Sequence, residues 1–131
     1  MIMQFHEVFS DWKDVVECAA NTTIFTSGDP ADVMYYILSG KVELTLRGES
    51  LGTEAPGGIV GEMGMLSSAA QSTTATTATA VKLARLDRQQ LRELALESTE
   101  FSLHVMSILA NRLRAIDQFI MSQLEHAESS V

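Results

Sequence analysis

The strongest constraint on the fold lies between residues 33 and 47. An apolar run over 33–38 meets Ser39-Gly40, and beyond it Val42, Leu44 and Leu46 alternate with Glu43, Thr45 and Arg47. A period of two sends successive side chains to opposite faces, as a half-buried strand requires. Two such runs joined by a Ser-Gly turn predict a β-hairpin. The neighbouring sequence continues the pattern. A β-branched and aromatic stretch over 23–26 runs into the Ser27-Gly28-Asp29-Pro30 turn. Gly48 makes a further turn, 50–53 is a short strand, and Ala55-Pro56-Gly57-Gly58 is a loop. Within the Ala/Ser/Thr-rich stretch 67–80, residues 67–71 read as loop and 73–79 as strand, and 81–86 is the last strand.

Helical spacing appears only at the two ends. Over 4–20, Phe5, Val8, Phe9, Trp12, Val15, Val16 and Ala19 fall on one face with Glu7, Asp11, Asp14 and Glu17 opposite, which predicts a packing helix carrying Cys18. Asp87 stands as the N-cap of a helix containing Gln90, Leu91, Leu94 and Leu96. Ser98 or Thr99 caps another helix over about 100–125. In it Met106, Leu109, Leu113, Ile116 and Ile120 are three, four, three and four residues apart, the heptad spacing of a seam for a partner helix. Phe101, Leu103, Val105, Ile108, Phe119 and Leu124 lie off that seam. The helix can therefore pack on its own domain and on a second copy at once; packing on its own domain alone is the competing reading.

With 131 residues, 46% of them hydrophobic, the chain is expected to fold as one domain over 1–131, with an N-terminal helix (4–20), a β-roll (23–86) and C-terminal helices (88–126). No segment approaches the roughly 20 apolar residues that span a membrane, and the first nine residues lack a basic leader, so a cytoplasmic location without membrane attachment is expected. The net charge of -8, from 17 acidic and 9 basic residues, opposes direct contact with nucleic acid. Arg85, Arg88 and Arg92 form the densest basic run, but Asp87 and Glu93 dilute it. No helix-turn-helix is expected after Val131. His6, His104 and His126 are too far apart in sequence to suggest a metal site. No nucleophile stands at a familiar spacing from a base, so no catalysis is expected.

Three strings carry a resemblance. Ile24-Phe25 with Gly28-Asp29, then Met34-Tyr35-Tyr36-Ile37-Leu38-Ser39-Gly40-Lys41-Val42-Glu43, then Pro56-Gly57 ahead of Gly61-Glu62-Met63-Gly64-Met65-Leu66 resemble the cyclic-nucleotide-binding domain family, which includes catabolite activator proteins and the regulatory subunits of cyclic-AMP-dependent kinase. Asn111-Arg112-Leu113 is similar to the family's Arg-Leu ending. The resemblance implies a mainly β fold with α: an eight-stranded double-stranded β-helix, or jelly roll, flanked by an N-terminal helix and C-terminal helices. It further implies a ligand cradle inside the roll and a last helix that lids the cradle and forms a homodimer, with a separate effector protein as a second kind of partner.

A cyclic nucleotide, such as cyclic AMP or cyclic GMP, presents a ribose hydroxyl, a singly charged phosphate and a base. Glu62 can accept from the hydroxyl. The Gly61-Glu62-Met63 backbone can donate to the phosphate if it opens a helical turn. An ordinary turn with a surface carboxylate is the other reading of this loop. By the same resemblance Ile116 and Asp117 fall where the family contacts the base, although an isoleucine there also suits a plain core. One departure weighs heavily: the family's phosphate-pairing arginine falls on Ser72 and its small neighbour on Thr73, and no Arg or Lys lies between Arg47 and Lys82. Loss of a charged hydrogen bond worth about 1.5–3 kcal/mol, or of a bidentate pair worth more, weakens binding roughly 10- to 1000-fold. Weak or altered binding by a regulatory module is therefore expected, with a degenerate, ligand-free, dimeric interaction module as the alternative.

Overall fold

The computed structural model describes residues 5–67 and 69–129. The chain runs α1 (Phe5–Ser10), β1 (Val15–Cys18), β2 (Thr23–Phe25), β3 (Val33–Ser39), β4 (Val42–Leu46), β5 (Glu49–Glu54), β6 (Ile59–Val60), α2 (Glu62–Ser67), β7 (Thr74–Thr77), β8 (Val81–Asp87), α3 (Arg88–Glu97) and α4 (Thr99–Ser129). The eight strands form two antiparallel sheets, ordered β1-β8-β3-β6 and β2-β7-β4-β5. This is the expected jelly roll with flanking helices.

The two sheets differ in what covers them. Along β3, Tyr35 and Ile37 face the second sheet, where with Leu83 of β8 they join Phe25, Val42, Leu44 and Ala75; Met34 and Tyr36 face the helices, where they join Phe9, Leu91, Phe101 and Val105. A strand buried on both sides has no room for polar alternation, hence the continuous apolar run of 33–38. Phe9 stacks on Tyr36 with centroids 4.0 Å apart, and burial pushes the Tyr36 phenol up to about 12. Strand β4, by contrast, buries Val42 and Leu44 and leaves Glu43 and Thr45 partly exposed.

Two expectations are corrected here. The hairpin over 33–47 does not form, because β3 and β4 belong to different sheets. The Ser-Gly link instead carries the chain from one sheet to the other, with Lys41 N donating to Thr79 Oγ1 and Ala78 N to Lys41 O. Gly40 has φ +85°, and a Cβ there would sit 2.2 Å from Ala80 O. Only glycine fits that crossing. The turn grammar was satisfied, but β3 needs a sheet neighbour on each edge and takes β8 and β6.

The helix expected over 4–20 begins at a residue outside the described ones, and the observed α1 ends at Ser10. Residues Val15–Cys18 are a strand paired with β8, so Cys18 lies on β1 and not on a packing helix. Val15, Val16 and Ala19 suit either period, and the β-branched pair favours a strand once an antiparallel edge is offered 70 residues later. Trp12 Nε1 donates to Arg85 O at 2.7 Å, which fixes the turn between the two elements.

The C-terminal helices start as expected. Asp87 Oδ1 accepts from Gln90 N at 2.8 Å while Gln90 Oε1 accepts from Asp87 N at 2.9 Å, a reciprocal capping box. Ser98 Oγ accepts from Phe101 N at 3.0 Å at the start of α4. At 31 residues α4 is about 46 Å long. No helix among the described residues is long and apolar enough to cross a membrane.

Candidate functional site

The Gly61-Glu62 loop links β6 to α2. Gly61 has φ +85°, and a Cβ at that position would press on Gln71 Nε2 at 3.2 Å and Val33 O at 3.3 Å. The left-handed turn swings the chain inward, so that Glu62, the first residue of α2, is 1% exposed. It is not the surface carboxylate of an ordinary turn. The cradle is lined by Leu44, Gly61, Glu62, Met63, Gln71, Ser72, Thr73 and Arg112. The structure thus brings together Gly61, Glu62, Met63, Ser72 and Thr73.

Arg112 changes the electrostatics expected of this cradle. The loop itself holds no cation, since no Arg or Lys lies between Arg47 and Lys82. Instead α4 delivers the Arg112 guanidinium, 6% exposed, with Nε 3.3 Å from Glu62 Oε1 and Nη2 donating to Ile59 O at 2.9 Å. Nη2 also lies 3.4 Å from Glu54 Oε1. Two carboxylates and a carbonyl therefore converge on one guanidinium. Burial raises the Glu62 pKa above its usual 4.5; the Arg112 charge and a hydrogen bond from its own backbone pull the other way. The cavity left beside these groups is about 10 Å³, the room of a single water.

Ile116 and Asp117 are not brought to the cradle. Ile116, half-buried, lines a separate 410 Å³ groove with Leu46, Arg47, Phe119 and Leu124, and Asp117 is exposed. The seam expected for a partner helix is also rotated. Met106, Leu113 and Ile120 are 61%, 65% and 49% exposed, but Leu109 and Ile116 are half-buried, and Leu109 packs on the core beneath the helix. The bare stripe is Leu103, Met106, Ala110, Leu113, Asp117, Ile120 and Leu124, alternately three and four residues apart. That is one heptad seam with a single acid in it.

The sequence reading placed Arg112 in the family's Arg-Leu ending without its place in the cradle, and it missed Glu54. Arg112 falls four, three and four steps along the buried face Phe101, Val105, Ile108, Arg112, so its phase marked it as an inward cation. Glu54 carried no such signal at the end of a strand. His104 Nε2 lies 2.6 Å from Gly57 O, bracing the β5–β6 loop against α4. Among the described residues no three His, Cys, Asp or Glu side chains converge as a metal site.

Residues 15–98 match the sequence profile described as the cyclic nucleotide-binding domain. A CRP-like cAMP-activated global transcriptional regulator of Mycobacterium tuberculosis is 35% identical over 97 residues, covering 70% of this chain and 43% of that protein. A cAMP-dependent protein kinase regulatory subunit of Yarrowia lipolytica is 30% identical over 83 residues, covering 63% of this chain and 22% of that protein. The solved catabolite activator protein of Thermus thermophilus superposes with a TM-score of 0.72 at 26% identity, covering 91% of this chain and 58% of that one. The chain thus spans less than half the length of these curated relatives.

Proposed function

The chain belongs to the cyclic nucleotide-binding domain family, and from that premise we propose that residues 1–131 act as one non-catalytic, cytoplasmic regulatory module whose cyclic-nucleotide site is weakened by the loss of its phosphate-pairing arginine at Ser72. The names of the relatives, a transcriptional regulator and a kinase regulatory subunit, support a regulatory role. The observation that carries the weakened site is the pairing of Arg112. Among the described residues the one guanidinium lining the cradle already faces two carboxylates, so an entering phosphate would find a surplus of negative charge. Gly61, Glu62, Met63, Ser72 and Thr73 are the residues a ligand would meet first. Ile116 and Asp117 would reach a base only if α4 moved.

The output of the module is its last helix. The bare apolar stripe from Leu103 to Leu124 fits a second copy of the chain, giving a homodimer, and a separate effector protein would dock where that dimer leaves surface free. With a net charge of -8 these residues do not themselves hold nucleic acid.

The cavity favours a second reading. Sites for ligands of nucleotide size enclose about 300–1,000 Å³, against about 10 Å³ here, which suits a dimeric interaction module with no ligand. The variant Ser72→Arg separates the two. Under the first reading it raises affinity for cyclic AMP or cyclic GMP by roughly 10-fold or more in a calorimetric titration. An unchanged affinity supports the second reading, and a wild type that already binds as tightly as the variant contradicts the first.

A further inference from the structure

The outer face of α3 runs against the charge of the rest of the chain. The sequence carries a net charge of -8, yet Arg88 and Arg92, one turn apart and both exposed, have no carboxylate partner among the described residues, where the ion pairs belong to Arg85 and Arg112. Arg88 Nη2 donates to Met65 O of α2, which fixes the direction of that side chain and leaves its charge without a counterion. One turn beyond Arg92, Leu96 is 82% exposed, more than any other large apolar side chain among the described residues. Arg88, Arg92 and Leu96 line one groove of about 390 Å³ with Gln89 and Glu93. Gln89 Nε2 donates to Glu93 Oε1 at 3.2 Å, which ties the one acid of the groove to its own helix.

The spacing of this row sets the shape of its occupant. Positions four apart on a helix rise by about 6 Å, and alternate residues of an extended strand are about 6.6 Å apart. We propose that this groove docks an extended acidic segment of a partner protein, with two acids at alternate positions against Arg88 and Arg92 and an apolar residue two further on over Leu96. A partner helix, about 10 Å across, would need a second wall that a groove lined by α3 alone does not offer. The rest of the chain repels acid at long range, so recognition falls to a short segment within a Debye length of the two guanidinium groups and not to a broad acidic surface. The proposal rests on the functional reading above only in identifying this partner with the separate effector.

The test is an NMR titration of the unmodified chain with the blocked peptide Asp-Ser-Asp-Ser-Leu at low salt. Amides of α3 should shift and saturate with a dissociation constant of roughly 0.1–1 mM. The peptides Asn-Ser-Asn-Ser-Leu and Lys-Ser-Lys-Ser-Leu should leave those amides unmoved. Arg92→Glu should weaken the acidic peptide about tenfold, and Leu96→Ser about threefold. Both side chains are exposed, so the melting temperatures of the two variants should stay within about 2 °C of the parent. An equal response to the three peptides, shifts confined to other elements, or unchanged affinity in both variants would overturn the proposal. Shifts of the α3 amides on dilution of the chain alone would also overturn it, because a second copy would then cover the groove. The titration involves neither a nucleotide nor the bare stripe of α4. Micromolar cyclic AMP binding or a monomeric chain would therefore overturn the functional reading and leave this inference standing.

Discussion

The two faces of α4 follow opposite rules. One face, Phe101, Val105, Ile108 and Arg112, is buried against the roll and ends on a guanidinium whose every contact is internal. The other, Leu103, Met106, Leu113, Ile120 and Leu124, is equally apolar and is about half exposed or more. Isolated exposed apolar residues are ordinary, but five at heptad spacing along one line form a continuous apolar stripe. The difference teaches that one helix is divided lengthwise, with its inner face serving the fold and its outer face left bare.

Substitutions on the two faces should therefore separate stability from assembly. The largest effect is expected from Phe101→Ala, which removes a fully buried ring contacting Phe9 and should cost about 3–5 kcal/mol in urea unfolding. Next, Ser98→Ala removes the acceptor for the Phe101 amide, and a loss of about 1 kcal/mol should appear in the same assay. On the bare face Leu113→Asp should change the stability of the isolated chain by less than about 0.5 kcal/mol. Its effect should appear in sedimentation, where the homodimer proposed for the parent is lost. A wild type that sediments as a monomer at all concentrations would break the comparison.

The smallest effect is a pH slope. Burial raises the Glu62 pKa above 4.5, so the folded state holds that proton more tightly than the unfolded state does. Its contribution to stability is greatest below pH 4.5 and falls as the pH rises through the raised value. The stability of wild type minus that of Glu62→Gln should accordingly decline from pH 4 upward. A difference that grows with pH would mean that Arg112, rather than burial, controls this carboxyl.

Much of this organisation was legible in the sequence, for identifiable reasons. The alternation Val42-Glu43-Leu44 and the capping residues Asp87 and Ser98 are local signals, and each element lies where they place it. The Gly-Glu loop was legible through the family resemblance, and the structure supplies the reason for its glycine, a φ of +85° at Gly61. What failed depended on distant partners. Val15–Cys18 becomes a strand through β8, and Ser39-Gly40 becomes a sheet crossing because β3 pairs with β6 and β8. In the cradle Glu62 was found, but its counterion lies 50 residues away on another element. A lone arginine in an amphipathic helix resembles a surface residue until its phase is compared with the buried face, and Glu54 offered no pattern at all.

The most direct check is a calorimetric titration of the unmodified chain with cyclic AMP. With Arg112 held by Glu62 and Glu54, no saturating heat should develop at micromolar nucleotide. A saturable one-to-one isotherm with a micromolar or tighter dissociation constant would contradict the account, because it would show the cradle opening for the very anion its charges disfavour.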